Sequence, residues 1–243
     1  DTEYRFEFPP KEVGDKICIP LREEGEGEKA AYDAFKDYIA PYSMGKLFIR
    51  TNYWGWVVGS GTPFGIYAQM LMAHMIASSE SLCADGYVHQ HVITWIKQML
   101  DYPEEGGGII VGGGSEANFT GLAVARNAMS KIDMKAKGVQ DIPQKMTLYV
   151  SEEGHHCLER SVELLGLGNE NLRWVKTNKE YQVDVNALEK EINLDREAGY
   201  HPFCIIGCAG TVNSGVFDDF NSLRALADRE NMWIHIAGAF GAW

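Results

Sequence analysis

The chain is short of positive charge: lysine and arginine number 22 against 34 aspartates and glutamates, a formal net charge of −12 in 243 residues. A nucleic-acid partner wants a basic face, and an anionic membrane surface wants the same, so neither is an expected partner. Plain solubility is the simpler account of the acidic balance. Cysteine is scarce: Cys18, Cys83, Cys157, Cys204 and Cys208 are odd in number and form no C-x-x-C pair. Four sit in apolar or helical contexts and read as reduced core thiols, which fits a reducing, cytoplasmic compartment. No basic start followed by an apolar run suggests a signal peptide, and no run of about eighteen apolar residues suggests a membrane span. The first residue is Asp1 rather than Met, which reads as a trimmed product. Internal repeats and low-complexity linkers are also missing.

What is present is ordinary for a soluble globular protein: 45% apolar and 23% charged residues, in a chain long enough for one α/β domain. Residues 1–27 are polar and punctuated by Pro9, Pro10 and Pro20, and read as an arm with little core of its own. A helix is expected over 28–40 with Ala31, Phe35 and Ile39 on one face. A stretch rich in glycine and aromatics follows over 43–62. Thr62 then reads as an N-cap and Pro63 as the first residue of a helix to about 77. That helix is apolar all round (Ile66, Met70, Leu71, Met75), which predicts burial in a core or an interface. A further helix is expected over 87–101. Beyond it the chain alternates. Strands are expected near 109–112, 147–151, 172–176, 203–208 and 233–237, with helices near 115–131, 156–166, 184–197 and 219–230. This rhythm predicts a mostly parallel sheet with helices on both faces, which takes its ligand at the carboxyl ends of the strands.

Four constellations sit on strand-to-helix turns. Gly112-Gly113-Gly114-Ser115-Glu116-Ala117-Asn118 opens a long helix. Glycines there permit close backbone approach, and the free N–H groups of a helix start suit a phosphate. The G-x-G-x-x-G dinucleotide fingerprint is not met, because the sixth residue is Ala117. Ser151-Glu152-Glu153-Gly154-His155-His156-Cys157 follows a strand and puts His155 where a ring could stack on a flat ligand; a satisfied structural histidine is the plainer reading. A metal on the His155–His156 pair is not expected without further ligands, and His89 and His91 read as helix-surface residues. Gly210-Thr211-Val212-Asn213-Ser214-Gly215 offers hydroxyl and amide groups on a glycine-shaped turn, or is an ordinary loop. His235-Ile236-Ala237-Gly238-Ala239 closes the fourth strand of the series that starts at 147.

Taken together, these motifs resemble the group II pyridoxal-phosphate (PLP) decarboxylases, which include the aromatic amino acid, histidine and glutamate decarboxylases. The resemblance covers about Trp54 to Trp243. Gly55-Trp56-Val57 through Gly61-Thr62-Pro63 looks like a substrate-side loop, and Phe217-Asp218 matches the family pattern. It implies the aspartate-aminotransferase-like type I fold, with an N-terminal arm over 1–62 and an incomplete large PLP domain over 63–243. It implies that Gly114 and Ser115 hold the cofactor phosphate, that His155 stacks on the ring and contacts the substrate, and that Thr211 lies near the cofactor. Ala239 packs on the opposite ring face in this reading. The reaction implied is α-decarboxylation of an L-amino acid by a homodimer. The chain departs from the family at Ala237, where an aspartate pairs with the pyridine nitrogen and makes the ring an electron sink, and at His89, where an acidic residue is expected. None of its lysines sits in the Ser-x-His-Lys context that holds the cofactor covalently, so these 243 residues alone are expected not to turn over substrate. Because of Ala237, a non-catalytic homologue serving as an interaction scaffold stays open as a second reading.

Overall fold

The computed structural model describes residues 8–21, 23–43, 61–75 and 84–242. The aromatic stretch from Tyr53 to Val57, together with Cys83 and Trp243, lies outside them. The chain divides into two compact units, Asp1–Met75 and Ile76–Trp243.

In the first unit, helix α1 (Lys11–Ile17) is followed by α2 (Glu28–Ala34), which runs on through a π-helical turn at Phe35–Ile39 and a 3-10 turn at Ala40–Tyr42. Pro41 has no N–H to give and ends the run. The face of Ala31, Phe35 and Ile39 is exposed rather than packed, with Phe35 half-exposed. Helix α3 (Pro63–Met75) starts where the sequence predicts: Gly65 N–H donates to Thr62 Oγ1 at 3.0 Å, and Pro63 needs no acceptor. Of the core or interface expected for this apolar helix, the core alternative is not met among the described residues of the unit. Phe64 is 86% exposed, and Ile66, Met70, Leu71 and Met75 are all exposed, because no described residue of the unit covers them.

The second unit holds α4 (Ala84–Met99), α5 (Gly114–Met129), the short α6 (Met134–Lys137), α7 (Cys157–Leu164), α8 (Val185–Glu197) and α9 (Phe220–Glu230). Its sheet is wholly parallel, in the order β2-β1-β3-β4, from β1 (Met146–Ser151), β2 (Leu172–Val175), β3 (His201–Cys208) and β4 (Trp233–Ala237). The expected strand over 109–112 does not form. A strand needs a ladder partner; none of the described strands pairs with it, and Ile109 and Ile110 are exposed.

Alternation along the strands divides two cores. Leu148 and Val150 of β1 and Cys204 and Ile206 of β3 face Leu122 and Ala125 of α5 and Leu158 and Val162 of α7. Tyr149 and Ile205 face the other way, onto Leu188 and Ile192 of α8 and Leu223 and Leu226 of α9. Helices thus cover both faces, which is why the strands read as nearly continuous apolar runs. Burying each Leu or Ile side chain here stabilises by about 1.5–3 kcal/mol. Asp184 caps α8 by accepting from Asn186 and Ala187 N–H, and Asp219 caps α9 by accepting from Ser222 N–H. On the α8 side, Tyr149 OH donates to Asp195 Oδ2 at 2.6 Å, and Arg173 meets the same carboxylate at 2.7 Å, tying β1, β2 and α8 together. The chain leaves β1 for β2 on one side and crosses back to β3 on the other. The topology therefore reverses between β1 and β3, and a ligand crevice belongs at their carboxyl ends.

Candidate functional site

Helix α5 opens on the glycine turn. Gly113, in extended backbone, precedes the first helical residue, and Gly112 N–H donates to Glu116 Oε2 at 2.8 Å, so the helix caps its own entry. The N–H groups of the first turn have no acceptor within the helix, as at any helix start. Residues 112–117 are exposed, and a Cβ at Gly113 or Gly114 would meet nothing within 4 Å. Gly114 and Ser115 therefore stand at an open helix start, with the Glu116 carboxylate engaged by the Gly112 N–H beside it. The glycine backbone, solvent access and N–H donors there fit a phosphate.

His155 follows the carboxyl end of β1 and is exposed. Its Nδ1 accepts the Cys157 N–H at 3.0 Å, so Nε2 is the ring nitrogen left to carry a proton. His156 lies beside Trp174, with ring centroids 5.8 Å apart.

Thr211 lies past the carboxyl end of β3 and is buried; its hydroxyl and that of Ser214 are 2.7 Å apart. Asp218 closes this loop. Its Oδ1 accepts the Val183 N–H and its Oδ2 the Cys208 N–H, both at 2.8 Å. Burial pushes this carboxyl up, against the pull of the two N–H donors. Burial likewise pushes the Cys208 thiol up to about 12. At Gly210, φ is +81° and a Cβ would collide with the Phe240 ring, so only glycine fits.

Ala237 ends β4, in register with Cys208, and its carbonyl accepts the Ala209 N–H at 2.9 Å. Gly241 N–H returns to Ala209 O, folding the turn that carries the exposed Ala239 against the end of β3. Ala237 offers no proton-holding group, so the residues present do not fit the pyridine-nitrogen end of a bound cofactor as they fit its phosphate end.

The structure brings the separate turns to one edge through a joint that motif reading leaves without a role. His235 Nε2 lies 2.8 Å from Asn118 Oδ1, and Asn118 Nδ2–H donates to Cys157 Sγ at 3.3 Å. Burial lowers the His235 pKa to about 4, so the imidazole is neutral and its Nε2–H donates to the amide oxygen. Ser161 Oγ meets Ser115 O at 3.5 Å from the α7 side. Asn118, His235 and Asp218 are the residues whose work was not legible. Two signals were available: a histidine in an otherwise apolar strand, and an aspartate directly after a loop aromatic.

The family described as the pyridoxal-dependent decarboxylase conserved domain matches residues 70–242. The aromatic-L-amino-acid decarboxylase of Bacillus atrophaeus is 36% identical over 150 residues, 62% of this chain and 29% of that protein. Among solved structures, the glutamate decarboxylase domain of the diaminobutyrate-pyruvate transaminase and L-2,4-diaminobutyrate decarboxylase from Vibrio parahaemolyticus superposes with a TM-score of 0.86 at 24% identity, over 96% of this chain and 52% of that one. Oryza sativa TDC, solved with PLP and tryptamine, gives 0.79 at 19% identity, over 93% and 48%. The chain spans less than half the length of the curated relatives it matches. With the greater part of its length matched, the chain belongs to the pyridoxal-dependent decarboxylase family.

Proposed function

We propose that the protein is a PLP-dependent amino acid decarboxylase whose phosphate-binding end is the start of α5. One observation supports this: the Asn118–His235 bond ties the helix that opens on the glycine turn to β4, two residues before Ala237, and the same Asn118 amide meets Cys157 beside His155. The N–H groups of the first turn and the Ser115 hydroxyl hold the phosphate. His155 presents its ring and an Nε2–H, Thr211 lines the floor, and Ala239 gives the opposite face a small side chain. When bound, PLP supplies a sink for the electron pair left by departing CO2. The substrate is an L-amino acid and the working form a homodimer, with residues 1–62 as its arm and the large domain starting at 63.

Ala237 favours a second reading, a fold-retaining homologue without turnover, because nothing at that position holds a proton on the ring. Full-length parent and Ala237→Asp proteins, titrated with PLP and assayed for CO2 release over a panel of L-amino acids, separate the two. Strong gain by the aspartate variant over a weak parent supports the decarboxylase. Uptake of PLP with no release by either supports the scaffold. No uptake of PLP by either protein overturns the cofactor assignment. The 243 residues alone are expected to be silent in the release assay.

A further inference from the structure

Asn118 lies one turn into α5, and His235 lies two residues before Ala237 on β4. They meet at 2.8 Å across 117 residues of sequence. The other end of the same amide reaches Cys157 Sγ, and the Cys157 N–H in turn fixes the His155 ring. Gly121 makes room for the joint: a Cβ there would stand 2.7 Å from His235 Cε1, so the imidazole lies directly on the helix backbone. Elsewhere α5 holds to the sheet through Leu122 and Ala125, contacts that are apolar and non-directional. Among the described residues the Asn118–His235 bond is the one hydrogen bond between α5 and β4, and so the contact that fixes where the helix start stops along the strand. A binding site that grips its ligand at two ends is sensitive to shifts of about 1 Å between those ends.

We propose that Asn118 and His235 are positioning residues: through one side-chain amide they fix the phosphate end of the site against the His155 turn and against the strand that carries residue 237, and thereby set cofactor affinity and orientation. This rests on the reading of the site as a PLP site.

The test uses the full-length protein titrated with PLP, read by tryptophan fluorescence and by the circular dichroism of the bound cofactor, with thermal melts alongside. His235→Phe keeps a ring against Gly121 and removes the N–H; His235→Gln keeps an N–H donor. His235→Phe is expected to raise the PLP dissociation constant about tenfold, the scale of one buried hydrogen bond, and to alter the dichroism band. His235→Gln is expected to recover most of the affinity. Asn118→Leu gives the same loss from the helix side, and carries the test if His235→Phe does not fold. Unchanged affinity and an unchanged band in folded variants overturn the proposal even if they melt earlier, because a merely structural role moves only the melt. If the unaltered protein takes up no PLP, the cofactor reading fails and this inference with it. That outcome is recognised because the parent fails before any variant is compared.

Discussion

Asp218 is the side chain on which the β3–α9 loop depends, and its replacement separates two kinds of loss. It is 5% exposed, and each carboxylate oxygen accepts one backbone N–H at 2.8 Å, from Val183 and from Cys208. Asp218→Ala leaves both donors without an acceptor in a buried place, at about 1–3 kcal/mol each, so about 2–6 kcal/mol together. Asp218→Asn keeps one acceptor and turns an NH2 group toward the other N–H, so about half of that loss is expected. Burial raises the carboxyl's folded pKa above its unfolded value. The folded state therefore binds more protons than the unfolded one just above the ordinary aspartate range, and this group's contribution to stability falls as pH rises through that window. Asn cannot titrate, so the parent-to-Asn difference should shrink as pH rises from about 4. Urea unfolding of parent, Asn and Ala proteins over a pH series measures all of this. Equal stability for Asp218→Asn and Asp218→Ala, or a loss below about 1 kcal/mol for both, would refute the two-acceptor account.

Three further outcomes follow from the same geometry. Because burial lowers the His235 pKa to about 4, the unfolded chain takes up a proton between about 6.5 and 4 that the folded one refuses; stability should fall as pH drops through that window, and His235→Gln should flatten that part of the profile in thermal melts. Tyr149→Phe removes the hydroxyl that donates to Asp195 and should lower unfolding free energy by about 1.5–3 kcal/mol, with a loss under about 0.5 kcal/mol counting against the network. Gly210→Ala forces a left-handed φ on a side chain that collides with Phe240, and should weaken PLP uptake by the full-length protein more than Gly215→Ala, where φ is also positive but the space is open.

Sequence pattern read the sheet well where local signals agreed. Strands expected over 147–151 and 233–237 formed as Met146–Ser151 and Trp233–Ala237, because apolar runs bounded by turn residues leave few alternatives in a parallel sheet. The helices behind Asp184 and Asp219 began one residue after their capping aspartates. Local pattern misled at Ile109–Val111, where an apolar triplet has no described strand beside it; at α3 the core alternative fails among the described residues of the unit and the interface alternative stands. Of the Asn118–His235 joint only one half left a mark in the sequence, a histidine in an otherwise apolar strand. Asn118 is unremarkable in its helix, and only the packing of α5 against β4 makes the two neighbours.

Ala237 shows how the two levels combine. The motif says that a carboxylate is missing; the structure says what a carboxylate would meet. Ala237 packs at the edge of the core that holds Cys208 and Leu122. Cys208 is a neutral thiol, and His235, on the same face of β4, is a neutral imidazole. The nearby Asp218 has both oxygens engaged by backbone N–H groups. An aspartate at 237 would therefore enter neutral, partly desolvated surroundings, where its charged form is disfavoured until a cation arrives. Ala237→Asp is thus expected to melt below the parent without PLP and to gain more than the parent when PLP is added, since a ligand that binds only the folded state raises its stability in proportion to affinity. The measurement is a pair of melts for each protein, with and without PLP, in the full-length chain. An aspartate variant that is as stable as the parent without cofactor would mean that a protein cation already serves position 237, and that the alanine leaves that cation, rather than the ring, without its partner.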